Sequence, residues 1–118
     1  MQTLRQSFYA TTVDDGSGIT GGATIRIQPA AKEWRIDSVN VRCATRIHEG
    51  TAVVYQGFIG QQYQIDITRS ASSGDTSDTV HYLHDGDALI VVWTGCDIGQ
   101  QVTLTIVGQE FLPGQGGF

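Results

Sequence analysis

The densest group of chemistry-bearing side chains is His81-Tyr82-Leu83-His84-Asp85-Gly86-Asp87, where two imidazoles and two carboxylates fall within one short stretch. Such groups hold divalent metals or pass protons. Their spacing argues against a shared ion. On an extended strand His81 and His84 project to opposite faces, so both reach one ion only if a turn intervenes. Asp85-Gly86 is a turn dipeptide, and His84 and Asp87 are expected to solvate that turn.

Other candidates are weaker. Asp14-Asp15-Gly16-Ser17-Gly18 has the composition of a calcium loop, but carboxylates do not recur at alternate positions with a closing Glu. His48-Glu49 would make an acid–base pair, yet adjacent turn residues seldom converge on one substrate atom. No Gly-x-Ser-x-Gly elbow is present. Gly16, Gly18, Gly21 and Gly22 lie between strand-like runs and open no helix that would cradle a phosphate. Carboxylate pairs for glycoside cleavage can come from any two strands, and nothing marks such a pair here. The expectation is a non-enzyme with no catalytic residue, no cofactor and no metal.

Aromatic residues are the better binding candidates. Tyr9, Tyr55, Tyr63 and Tyr82 each fall in strand-like runs, and Trp34 opens another. An exposed row of them would stack on sugar rings; core filling is the expected role, because they run in phase with aliphatic neighbours. Phe118 differs, since it lies beyond a Gly-rich tail with no local strand to pack into.

The elements that position these residues are strands. A chain of 118 residues is one domain. Fifteen glycines, two prolines and 40% hydrophobic residues suit short strands joined by tight turns. A net charge of −5, with the basic residues scattered, excludes a nucleic-acid backbone as partner. No run approaches the roughly 20 apolar residues of a membrane-spanning helix. Residues 1–5 lack the basic start and apolar run of a secretory signal, so the chain is expected to be made in the cytoplasm of its host. Cys43 falls in a strand and Cys96 in a hairpin loop, with no Cys-x-x-Cys pair to hold zinc. A bridge between them remains open, and two reduced thiols are expected.

Residues 82–111 organise the rest. Residues 88–93 are apolar on both faces, as in a central strand. Residues 101–107 alternate, with Val102, Leu104 and Ile106 on one face and Thr103 and Thr105 on the other. The pair reads as a hairpin across a polar connection at 94–99. Upstream, strands are expected at 3–12, 23–28, 34–45, 51–58, 63–69 and 79–83. Residues 29–33 allow one helical turn, and 70–77 form an exposed loop. Between Trp34/Ile36 and Val39/Val41/Cys43 the apolar phase slips by one residue, the mark of a β-bulge near Asp37-Ser38. About eight strands at this spacing give an all-β, antiparallel, jelly-roll-like sandwich over 1–111 with a Gly-rich tail at 112–118. An immunoglobulin-like sandwich is the alternative, though no Trp lies between Cys43 and Cys96.

Leu83, Gly86 and Asp87 before an apolar strand, then a glycine-containing loop, then Val-Thr-Leu-Thr-Ile-Val closing on Gly108 and Phe111, make a recognisable cast. This stretch resembles the C-terminal half of tumour necrosis factor-like jelly rolls and of small all-β virion proteins of tailed bacteriophages. Short length and richness in Gly, Thr and Gln are similar to phage capsid decoration or cement proteins. That resemblance implies a homotrimer on the outer capsid of the virion, with the major capsid protein as partner and subunit clamping as mechanism. Residues 1–6 and 112–118 would then be arms, with Met1, Gln2, Leu112 and Phe118 as candidate partner contacts. Two rivals are a carbohydrate- or receptor-binding module of a phage tail or fibre and a head–tail or tail-tube component. A metal enzyme of the cupin kind would need the His-x-His and following Glu that this sequence lacks.

Overall fold

The computed structural model describes residues 2–44, 49–68, 75–77, 81–84 and 86–112. Among these lie ten strands: β1 (Gln2–Thr11), β2 (Val13–Asp14), β3 (Gly21–Ile27), β4 (Glu33–Cys43), β5 (Glu49–Gln56), β6 (Gln64–Thr68), β7 (Asp75–Ser77), β8 (His81–Leu83), β9 (Leu89–Cys96) and β10 (Gln101–Phe111). They form two antiparallel sheets, one ordered β1-β10-β4 with β7 and β8 both on the far edge of β4, the other β2-β3-β9-β5-β6. β7 pairs with Val39–Val41 and β8 with Trp34–Ile36, so the two are one strand interrupted. Counting them so, and setting aside the two-residue β2, the orders become first-eighth-third-sixth and second-seventh-fourth-fifth. That is the double Greek key of a jelly roll, and the chain is an all-β antiparallel sandwich.

Alternation places the core. Leu4, Ile36, Val39, Val41, Val102, Leu104 and Ile106 from one sheet meet Ile25, Ile27, Ala52, Val54, Leu89, Val91 and Trp93 from the other. β9 is the middle strand of its sheet, which is why its run is apolar on both sides. The phase slip in β4 is a bulge: Val107 faces Ser38 but Gly108 faces Ile36, so Asp37 is the extra residue. The slip returns both Trp34/Ile36 and Val39/Val41/Cys43 to the inner face. Gly108 is required there, because a Cβ would collide with the Arg35 carbonyl and the Ile36 backbone.

Several expectations are corrected. β9 and β10 are not a hairpin; they lie in different sheets, and residues 97–100 arch between the layers. β9 runs through Cys96, which is therefore a strand residue rather than a loop residue. Residues 29–32 form a bend with Ala31 at φ 56° and no helical turn. The hydrophilic Asp75-Thr76-Ser77 is strand, because the outer edge of β4 beyond β8 offers ladder partners and a polar edge strand stays soluble there. Residues 69–74 lie outside the described residues. Tyr63 closes a 3₁₀ turn (Gln61–Tyr63) ahead of β6.

One buried polar side chain ties the arches together. Thr12, between β1 and β2, is 2% exposed. Its hydroxyl donates to the Asp97 carbonyl at 2.6 Å and accepts from the Gln100 amide at 2.9 Å. Its own amide donates to Gln100 O at 2.8 Å, and its carbonyl accepts from Gly99 N at 3.0 Å. Thr12→Val keeps the shape and removes the hydroxyl, which takes a partner from two backbone groups. We expect a loss of about 2 kcal/mol in urea unfolding, with Thr12→Ser losing less than half of that. A loss in Thr12→Ser equal to that in Thr12→Val would show that the methyl group matters as much as the hydroxyl.

Candidate functional site

The His81–Asp87 stretch does not assemble a metal centre among the described residues. β8 places Leu83 inward against Trp34, with Tyr82 facing out beside Arg35. His81 shares Leu83's side of the strand, and His84 lies just beyond the strand end, so the two imidazoles diverge. His84 Nδ1 meets Glu33 Oε1 at 3.3 Å, while its amide donates to Asp87 Oδ2 at 2.9 Å. Asp87 N donates back to His84 O at 2.9 Å, closing the turn, and Gly86 takes φ 89° within it. Asp87 is thus a turn cap. Asp85 lies outside the described residues. Glu33 is the member that sequence reasoning missed: it opens β4, is 8% exposed, and reaches His84 from 51 positions away. No local signal marks so distant a pairing.

The 14–18 loop is saturated from within. Asp14 Oδ1 accepts from Gly16 N at 2.8 Å and Gly18 N at 3.0 Å. Asp15 Oδ1 accepts from Ser17 N at 3.0 Å, and Asp15 Oδ2 accepts from the Thr20 hydroxyl at 2.6 Å. Ser17 Oγ accepts from Ile19 N and Thr20 N, each at 3.1 Å. These carboxylates build a turn rather than await an ion. The Thr20 hydroxyl first, then Ser17, holds the Asp15 carboxyl below the usual aspartate range. A shallow groove of about 340 Å³ runs beside this loop, lined by Val13, Asp15, Ala23, Thr24 and Val92. Its floor is apolar, and its carboxylates are the ones already occupied. His48 lies outside the described residues, so the His48-Glu49 pair has no geometry to report.

The aromatic expectation is corrected at two positions. Tyr9 is 61% exposed and Tyr82 45%, so neither fills the core. Tyr9 stands between inward-leaning Phe8 and Ala10, out of phase with them. On the outer face of the first sheet Tyr9 lines up with Thr103 and Arg42, and the neighbouring row holds Ser7, Thr105 and Asn40. The Ser7 and Thr105 hydroxyls are 2.9 Å apart. Trp34 and Trp93 are both buried.

Gln2 and Leu112, two of the candidate partner contacts, lie at one end of the sandwich. Gln2 pairs with Glu110, so the first and last strands begin and finish side by side. Leu112, just past β10, is half exposed. Met1 and Phe118 lie outside the described residues, and Gln2 is placed by its backbone alone. The connections β3–β4, β5–β6 and β8–β9 turn at this same end. Gly57 N donates to Ala88 O at 2.8 Å, Gly86 N to Pro29 O at 3.3 Å, and Gln56 Nε2 to Tyr82 O at 3.0 Å. Phe58 at 68% and Ile59 at 61% exposure sit on the β5–β6 connection. Together with Tyr82 and Leu112 they give this end an apolar tip.

No protein-family model matches the chain, and no curated protein matches its sequence.

The Asp15 geometry predicts a pH effect with a definite sign. A depressed folded pKa means the carboxylate stabilises the loop above the ordinary aspartate value, and this contribution is lost as pH falls through the folded one. In an NMR titration Asp15 Cγ should have its midpoint below the ordinary aspartate value, and Thr20→Val should raise it. An unmoved midpoint in Thr20→Val would show that the short hydroxyl contact is not what lowers Asp15.

Proposed function

We propose that the chain is a non-catalytic structural protein of the virion, a capsid decoration or cement subunit that grips its neighbours through the end of the jelly roll where both termini leave. The observation that carries this reading is the apolar character of that end, where Phe58 and Ile59 on the β5–β6 connection, Tyr82 on β8 and Leu112 just past β10 are exposed. Four large apolar groups exposed at this end offer a surface that another protein can cover, while Val13, Ile19 and Ile98 are exposed at the arch end. The resemblance of residues 83–111 to small all-β phage virion proteins supplies the setting: a homotrimer clamped on the major capsid protein.

On this reading the mechanism is adhesion without turnover. A stiff sandwich presents apolar groups that need no rearrangement, and each Å² withdrawn from water contributes about 25 cal/mol before the entropy of association is charged against it. A stable contact needs roughly 1,000 Å² or more, so the tip must be continued by residues of the terminal segments. The net charge of −5 keeps such a subunit from adsorbing to packaged nucleic acid.

A second reading has its own observation. The row Tyr9, Thr103 and Arg42, flanked by Ser7, Thr105 and Asn40, is a flat polar face with one exposed ring, which suits stacking on a sugar. It would make the chain a carbohydrate- or receptor-binding module of a tail or fibre.

Light scattering of the purified chain separates the two. The decoration reading expects a trimer whose mass is unchanged by chelator. It expects Phe58→Ser with Ile59→Ser to dissociate that trimer, with the monomer's own Tm held within about 3 °C because these exposed groups add little to the fold. A chain that is monomeric, and that binds a glycan array in a manner lost at least tenfold in Tyr9→Ala, would replace it with the sugar-binding reading.

A further inference from the structure

Cys43 ends β4 in one sheet and Cys96 ends β9 in the other. Both side chains are 0% exposed and belong to the same core cluster. They lie at the end of the sandwich that the Thr12 contacts tie together, for Ala44 N donates to Gln101 O at 2.9 Å and Cys96 immediately precedes Asp97. Each thiol is close enough to the other to alter its ionisation. Cys96 Sγ is also 3.7 Å from Thr94 O. On its other side Gly50, at φ 71°, packs so tightly that any Cβ there would overlap Cys96 Sγ. Cys96 Sγ is therefore hemmed in on the Gly50 side.

We infer that Cys43 and Cys96 are an inter-sheet disulfide site, closed by exchange with a small-molecule disulfide such as oxidised glutathione while the chain folds. The thiolate of one cysteine attacks a sulfur of oxidised glutathione, forming a mixed disulfide and releasing one glutathione. The second cysteine's thiolate attacks the protein sulfur of that mixed disulfide and expels the other glutathione. The two thiol protons end on the two glutathiones. The pair loses two electrons, and the small disulfide gains them.

Folding is the moment at which this happens because the native pair is shut away. Burial raises both thiols, Cys96 to about 12, so the native state holds almost no thiolate. A small disulfide has no path to side chains with zero exposure. The same burial protects the bridge once made, so the bond state of the folded protein records the redox conditions in which it folded. The bridge would join strands far apart in sequence, where a cross-link restrains the unfolded chain most.

The test refolds the full chain from denaturant either in a mixture of oxidised and reduced glutathione or in dithiothreitol. Each sample is then denatured in acid, alkylated with N-ethylmaleimide and weighed intact. The glutathione sample should be a monomer lighter by two hydrogens that takes up no maleimide, with a Tm higher by roughly 10 °C. The dithiothreitol sample should take up two maleimides, one at each cysteine. Folded reduced protein left for hours in the same glutathione mixture should remain a dithiol; closure as complete as on refolding would overturn the restriction to folding. Cys43→Ala, which keeps an apolar filling, should fold like the reduced wild type and show no redox-dependent Tm. Two maleimides, glutathione adducts or interchain dimers in the refolded wild type would overturn the site.

Discussion

The hydrogen-bond cluster around Thr12 is the constraint on which the rest of the sandwich depends. A jelly roll changes sheet between consecutive strands, and at every change the backbone leaves its ladder. Peptide groups buried there without partners would each cost about 1–3 kcal/mol. Here two such arches, residues 12–20 and 97–100, satisfy one another. Thr12 and the segment 97–100 share four hydrogen bonds of 2.6–3.0 Å. The contact also sets register. With Thr12 fixed against Gln100, Thr11 must face Gln101, and each later pair follows up to Gln2 against Glu110. Because the side-chain period is two, a slip of one residue would turn Leu4, Phe8 and Ala10 outward.

The opposite end is governed by the bulge at Asp37. Without the extra residue, either Trp34 and Ile36 or Val39, Val41 and Cys43 would face solvent. The slip puts all five inward, and Gly108 is its counterpart on β10. Its missing Cβ admits the Arg35 carbonyl and allows the ladder to resume. Arg35 and Asp37 pair at 3.0 Å on the outer side, each more than a third exposed, which is worth at most a few tenths of a kcal/mol. Trp34 is anchored by its indole, donating to Glu110 Oε2 at 2.9 Å. Trp93 fills the core without such an anchor, and its Nε1 is buried with no acceptor among the described residues. Apolar volume, not hydrogen bonding, holds Trp93 in place.

What the sequence makes legible is what depends on neighbours in the chain. Alternation over 101–107, the doubly apolar 88–93 and the phase slip at Asp37 all report faces, and faces follow from a period of two. The arch between β9 and β10 was hidden because a polar, glycine-containing connection looks the same whether it turns back in one sheet or crosses to the other. The distinction lies in its partner, Thr12, more than 80 positions away. Gly108 looked like a strand end because its justification, the bulge, sits on another strand. Asp75-Thr76-Ser77 looked like a loop because an edge strand takes its hydrogen bonds from β4 and needs no apolar side chain. Glu33 reached His84 only through pairing of distant strands. Tyr9 was readable, since Phe8 and Ala10 already claimed the inner face. Of the proposed contact residues, Leu112 is exposed just past β10 and Gln2 opens β1.

The two ends of the sandwich therefore differ in kind, and the difference bears on what the chain can do. At the arch end, Thr12 is satisfied and the cysteines are sealed, while Val13, Ile19 and Ile98 on the arches are exposed. At the terminal end Phe58 and Ile59 on the β5–β6 connection and Leu112 just past β10 are exposed, and Tyr82 is exposed on the outer face of β8. An apolar group carried on backbone already fixed in a ladder, as Tyr82 is on β8, loses little further entropy when another surface covers it.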